Sequence, residues 1–215
     1  MSFPEYLARN YDRVLELALQ HALLVGGAML IASLVGVGLG MLTYRHPFAR
    51  DAVIRVTGLF LTVPSLALYA ILVTTFGLGW QPVLFALTLY ALLPIVRNTV
   101  TGLLGVDPAV VESAQGMGLG RTQRLFRIEL PLAWPVILTG VRVSTMIIVG
   151  IAALGAIVNG PGLGDLIFDG LNRAGTAFAL NFALAGFVGV IVLGAVLDGL
   201  FSLLSRLTTS RGIRD

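Results

Sequence analysis

The sequence predicts an all-α polytopic membrane protein of about five transmembrane helices, and three observations predict it. The 215 residues are 57% hydrophobic and 12% charged, about half the ~25% charge of an ordinary soluble domain, and the mean hydropathy is +0.93. Long apolar stretches recur along the chain, separated by short polar or Gly/Pro-rich segments. At about 20 apolar residues per crossing, these stretches and their loops use up the length, which excludes a fused ATPase or a large receptor domain. The third observation is a one-sided distribution of arginine, given below.

Composition also excludes several chemistries. All 14 basic residues are Arg, so the chain cannot contain a phosphate-binding G-x-x-x-x-G-K-[ST] loop. It has no Cys and only His21 and His46, which removes disulfides, thiolate metal sites and thiol nucleophiles and leaves no cluster for a transition metal. The net charge of +3 fits cytoplasmic loops of a membrane protein rather than a nucleic-acid surface. His21 and His46 read as interfacial residues.

Residues 1–17 mix Glu5, Arg9, Asp12, Arg13 and Glu16 with Tyr6, Leu7, Tyr11 and Val14 at helical spacing, predicting an amphipathic segment at the outer membrane interface. The early charges argue against a cleaved signal. The first span covers residues 18–44 and is rich in small residues. Arg45 to Asp51 interrupt it, and a second span covers 52–76 with Pro64 near its middle. The Gly77-Leu78-Gly79-Trp80-Gln81-Pro82 turn leads into the third span, 83–104. Residues 105–131 form the longest polar stretch after the N-terminal segment. The fourth span covers 132–158, a glycine-rich turn and a short helix follow, and the fifth span covers 178–204. The membrane domain as a whole takes in 18–205, and 206–215 form a tail.

Counting arginines orients these spans. Arg45, Arg50, Arg55, Arg121, Arg124, Arg127, Arg206, Arg211 and Arg214 fall on one side, and Arg9, Arg13 and Arg173 on the other. By the positive-inside rule the N-terminus is outside and the C-terminus is cytoplasmic, so 105–131 is a cytoplasmic loop.

Within that loop, Asp107-Pro108 is a helix start, and a helix to about Met117 is predicted, with Val111, Ala114 and Met117 on one apolar stripe. Glycines 116, 118 and 120 supply a reversal. Thr122 is placed to cap a second short helix to about Leu130, and Pro131 and Pro135 mark re-entry into the membrane.

The order Glu112-Ser113-Ala114, Gly118, Ile128-x-Leu130-Pro131 resembles the EAA signature of permease subunits in binding-protein-dependent ABC importers, with its full spacing. Further stretches, Val63-Pro64-Ser65-Leu66-Ala67-Leu68, Tyr90 to Thr99, Gly105 to Ala109 and Gly162 to Phe168, are similar to the permeases for glycine betaine, choline, carnitine and related osmoprotectants. Two departures stand out: Ser113 replaces the usual second Ala, and Asn159-Gly160-Pro161-Gly162 replaces a more typical Gly-Ala-Gly-Gly turn. The resemblance implies a type I, methionine-importer-like permease core in the bacterial cytoplasmic membrane. It implies two cytoplasmic ATPases that bind the ATP and Mg, a second permease subunit that is a copy or a paralogue, and a separate extracellular or periplasmic substrate-binding protein. It assigns Glu112, Ser113, Ala114, Gly118, Ile128, Leu130 and Pro131 to ATPase coupling, and no cofactor and no catalysis to this chain.

Two groups of polar residues inside the spans complete the expectation. Arg97, Arg142 and Asp198 sit at membrane depth, where charges pair, face the bundle or snorkel. An inner-gate network of Asp198 with Arg142 or Arg97 stands beside simple snorkelling. Thr62, Ser65, Tyr69, Asn98 and Thr145 are candidates for lining the pathway, against the plainer role of helix packing. The aromatic cage for a quaternary ammonium group is expected in the binding protein, so another small amine, amino acid or thiol-betaine stays open as cargo. A secondary carrier or an intramembrane enzyme would leave the long loop unexplained, and no H-E-x-x-H or G-x-S-x-G motif is present.

Overall fold

The computed structural model describes residues 2–208. Residues 209–215 of the expected tail, with Arg211 and Arg214, lie outside the described residues, as does Met1. Every regular element described is helical: α1 Phe3–Thr43, α2 Pro47–Thr62, α3 Ser65–Phe76, α4 Trp80–Leu104, α5 Pro108–Gly116, α6 Arg121–Arg124, α7 Leu130–Leu154, α8 Gly164–Asn172 and α9 Ala179–Thr208. A π-helical turn, Leu125–Glu129, joins α6 to α7, and a 3-10 turn, Gly155–Val158, follows α7. Four helical runs are long and apolar enough to cross a membrane, or five if the bent pair α2–α3 counts as one crossing.

The N-terminal amphipathic stretch is not a separate helix. It continues into the first span as α1, with one non-helical residue at Asn10, whose side-chain amide donates to the Tyr6 carbonyl at 2.8 Å. Its apolar face packs on α8 and α9, where Tyr6 and Leu17 join Leu163, Leu166 and Ala185 in a buried cluster. Arg13 pairs with Asp169 of α8 at 2.7 Å. Tyr6 and Leu17 are thus buried against protein, while Tyr11 and Leu15 are exposed.

The expected second span is broken. α2 and α3 meet at 99°, and with 16 and 12 residues they are about 24 and 18 Å long at 1.5 Å per residue, each short of the ~30 Å hydrocarbon core. Pro64 forces Val63 into extended geometry (φ −76°, ψ 128°). The Tyr90 hydroxyl of α4 donates to the freed Val63 carbonyl at 2.9 Å, so the break is held from outside.

α4 is the central helix, flanked by α1 and α7. The main core gathers Val25, Ala28 and Ala32 of α1, Leu87, Ala91 and Ile95 of α4, and Ile148 and Ala152 of α7. Pro94 interrupts the backbone ladder of α4, and the buried Ser144 hydroxyl of α7 donates to the adjacent Ala91 carbonyl at 2.8 Å. Close approach of α7 depends on Gly140, where a Cβ would lie 2.7 Å from the Pro94 carbonyl oxygen and 2.6 Å from Asn98 Cβ. Both obstacles belong to α4, so relief requires the helices to separate. Gly140→Val is therefore expected to destabilise the fold by about 1–3 kcal/mol, read as a lower midpoint of thermal unfolding in detergent. An unchanged midpoint would show that α4 and α7 repack without strain.

His21 departs from its expected interfacial place. It is fully buried, with Nε2 3.1 Å from the Val149 carbonyl oxygen. The loop glycine Gly162 (φ 125°) lies directly over it, and a Cβ there would come within 2.9 Å of the ring. His46 precedes Pro47 at the start of α2.

Candidate functional site: the loop between α4 and α7

The loop is built from local rules at both ends of α5. The Asp107 carboxylate accepts from the Ala109 amide at 2.8 Å, and Pro108 occupies the first turn, where its missing N–H costs nothing. At the other end Gly118 takes φ 82°. The Leu119 amide donates to the Ala114 carbonyl at 3.1 Å and the Gly118 amide to the Gln115 carbonyl at 2.9 Å, a Schellman closure that calls for glycine. Nothing lies within 4 Å of a Cβ built at Gly118, so the demand there is backbone geometry alone.

The expected stripe of Val111, Ala114 and Met117 divides. Ala114 is the one residue of α5 that is buried, at 1% exposure, and Met117 is 71% exposed. A small residue at 114 lets α5 lie against α6 and the π turn. Gln115 accepts from Arg124 Nη1 at 2.7 Å, fastening α5 to α6, and Arg124 Nε is buried without a partner. Ser113 turns its hydroxyl back onto the Ala109 carbonyl at 2.7 Å. Glu112 is exposed.

α6 starts two residues earlier than expected. Gly120, not Thr122, is its N-cap, and the Gln123 side chain accepts from the Gly120 amide at 3.0 Å. The chain then runs into α7 without a break at Pro131. Pro131 has no N–H to return to Arg127, and its ring crowds that carbonyl. The π turn, closed by the Leu130 amide on the Leu125 carbonyl, widens the helix at this point. Ile128 and Leu130 are half-buried and Pro131 is exposed.

Glu129 was hidden among the loop's charges in the sequence. It is 2% exposed, and its carboxylate accepts from the Tyr44 hydroxyl at 2.7 Å and from Arg45 Nη2 at 2.6 Å. The signal available beforehand was an acidic residue between Ile128 and Leu130, the last charge before an apolar helix.

At membrane depth the structure brings Asp198 to Arg142 and not to Arg97. Arg142 Nε and Nη2 each donate at 2.6 Å to one carboxylate oxygen of Asp198, a bidentate pair between α7 and α9. It is open, with side chains 44% and 38% exposed. Arg97 is exposed on α4 and makes no ion pair among the described residues.

The polar pathway candidates are scattered. Tyr69 and Thr145 are sealed in the core, their hydroxyls donating to the Ile151 and Val141 carbonyls at 3.0 and 2.9 Å. Asn98 donates to the Pro94 carbonyl at 2.8 Å and is half-buried. Thr62 is exposed at the end of α2, donating to the Leu59 carbonyl at 2.7 Å, and Ser65 opens α3 across the break.

Comparison with known proteins bears on this geometry. The family described as binding-protein-dependent transport system inner membrane component matches residues 17–210. Among curated relatives, the glycine betaine/carnitine/choline transport system permease protein OpuCD of Bacillus subtilis (strain 168) is 38% identical over 208 residues, covering 96% of this chain and 91% of the relative. The osmoprotectant import permease protein OsmW of Salmonella typhimurium (strain LT2) is 36% identical over 214 residues, covering 97% and 98%. Among solved structures, a chain of the inward-facing MetNI methionine ABC transporter superposes with a TM-score of 0.79 at 18% identity, covering 98% of this chain and all of that one. This likeness shows the fold.

Proposed function

The chain belongs to the family of binding-protein-dependent transport system inner membrane components, and from that premise we propose that it is the permease subunit of an ATP-binding cassette importer that brings glycine betaine, choline, carnitine or a similar quaternary amine into a bacterial cell. The observation that carries the permease role is α5: a short helix, capped at both ends, fastened to the bundle by Ala114 and Gln115 and holding Glu112 free toward solvent. The cargo reading is supported by relatives named for those compounds at 34–39% identity across nearly the whole chain.

The arginine distribution supports an orientation with the α5 end in the cytoplasm and the N-terminus outside. Two ATPase subunits dock there, one on each permease, and bind the ATP and Mg. Catalysis belongs to them, and this chain holds no cofactor of its own. Closure of the ATPase dimer carries Glu112 to Gly118 with it, the crossing helices rock, and the cavity opens outward under a loaded binding protein. Thr62 and Ser65 at the α2–α3 break, with Asn98, are our candidates to meet cargo, while Tyr69 ties α3 to α7 and Thr145 is packed in the core against its own helix backbone. The second permease subunit, a copy or a paralogue, completes a two-fold or pseudo-two-fold pair.

Uptake of labelled glycine betaine, choline and carnitine, in cells with and without the gene at low and high osmolarity, tests the cargo. Loss of one or more of these fluxes is expected on deletion. If all three persist, a different small amine, amino acid or thiol-betaine is the cargo. Gly118→Val is expected to lower transport per ATP hydrolysed, because a β-branched residue does not hold φ 82°. Transport per ATP at the wild-type value would show that the Schellman turn is dispensable.

A further inference from the structure

Glu129 joins two parts of the chain that lie far apart in sequence. It closes the π turn that follows the loop, while Tyr44 and Arg45 form the corner between α1 and α2, 85 and 84 residues upstream. Tyr44 is 6% exposed and sits in the cluster where Val96, Val100 and Leu103 of α4 meet Ala133 and Ile137 of α7, with Val53 and Ile54 of α2 and Leu125 of the π turn packed around them. The Arg45 guanidinium lies 5.1 Å from the centre of the Tyr44 ring. Both carboxylate oxygens of Glu129 are thereby engaged. On the other side of the same turn, Arg124 is tied to Gln115 of α5.

We infer that Glu129 is a positioning residue for coupling: through Tyr44 and Arg45 it makes the α1–α2 corner move with the loop, so that displacement of α5 reaches α2 as well as α7. The inference rests on α5 being the ATPase-docking helix. Without the Glu129 link, the loop drives α7 through continuous backbone, while α2 shares with the π turn the apolar cluster around Tyr44, whose contacts can slide. An anchor in which both oxygens of one carboxylate are held, one of them by a guanidinium, resists sliding. A π turn is one of the places where helices kink, so an anchor at its end sets which side of the turn follows the loop.

The test uses the complete importer, purified with its ATPase and reconstituted with its binding protein in liposomes, measuring molecules of labelled glycine betaine, choline and carnitine imported per ATP hydrolysed. Glu129→Ala is expected to lower that ratio at least fivefold with ATP hydrolysis retained. Tyr44→Phe, which removes a single hydroxyl, gives a smaller drop, as does Glu129→Gln, which keeps an acceptor for Tyr44. Tyr44→Phe in the Glu129→Ala background adds nothing further, because both act on one link. If Glu129 is only structural, import and hydrolysis fall together with the amount of assembled complex and the ratio stays at the wild-type value in the three single variants and the double, which overturns the inference. Glu112→Lys in the same preparation separates the two levels. If it loses the ATPase while Glu129→Ala keeps a normal ratio, the link alone is wrong. If Glu112→Lys keeps both the ATPase and the ratio, the docking assignment of α5 is wrong and the inference goes with it.

Discussion

Glu112→Lys is expected to abolish uptake while the permease itself accumulates and folds as the wild type does. Glu112 makes no hydrogen bond or ion pair among the described residues. It stands on the solvent side of α5, whose buried residue is Ala114, and α5 is held by Asp107 at one end, the Gly118 closure at the other and the Gln115–Arg124 bond between. Lysine is a good helix former and leaves all of these intact. A free carboxylate on a rigid, projecting helix has its use against a partner, and reversing one charge of an interfacial pair costs about 2–5 kcal/mol, or more than about tenfold in binding. Copurification of the ATPase with tagged permease and uptake in the same cells check this. Both should fall, with permease in the membrane unchanged. Full copurification together with full uptake would remove Glu112 from the docking surface.

Local signals and long-range signals fared differently. α5 was legible because Asp107-Pro108 and Gly118 act within a few residues of themselves, and both ends of the helix follow from them. Pro64 and Pro131 are a more instructive pair. Each proline signals disruption, but its extent is decided elsewhere. At Pro64 the chain turns by 99° because α4 offers the Tyr90 hydroxyl to the freed carbonyl, and the apolar residues on both sides of the proline concealed the turn. At Pro131 no break occurs, because a widened turn absorbs the missing N–H. The residues of the loop could be chosen by their spacing, yet Glu129 could not be told from Arg127, its exposed neighbour, since hydropathy counts both as loop charges. Its burial depends on Tyr44 and Arg45, which a reading along the chain has no means of bringing near. The same holds for His21, which needs Val149 and the glycine turn over it.

Exchanging the charges of Arg142 and Asp198 is expected to preserve what either reversal alone destroys. The pair is bidentate and short, it joins helices 56 residues apart in sequence, and it is open on one face of the bundle. Lipid solvates neither charge, so at membrane depth that face is expected to meet water or a polar surface of the second permease subunit, the arrangement an inner gate requires. Arg142→Asp leaves two carboxylates face to face and Asp198→Arg two guanidinium groups, and like charges at this range disfavour the packed geometry of α7 on α9. Each single reversal should lower uptake by more than about tenfold, since two like charges held at this contact distance push α7 and α9 apart. In the double variant one long and one short side chain still span the gap, with the long one now on α9, and uptake is expected to return most of the way. The double neutral variant, Arg142→Gln with Asp198→Asn, separates the roles. It restores membrane insertion whatever the pair does, so if it also restores uptake the charges serve only to cancel each other. Uptake that returns with exchanged charges and fails with neutral ones identifies an ion pair that works in transport. If the exchange gives no rescue while the protein is present in the membrane at wild-type amounts, pairing is not what transport requires of these residues.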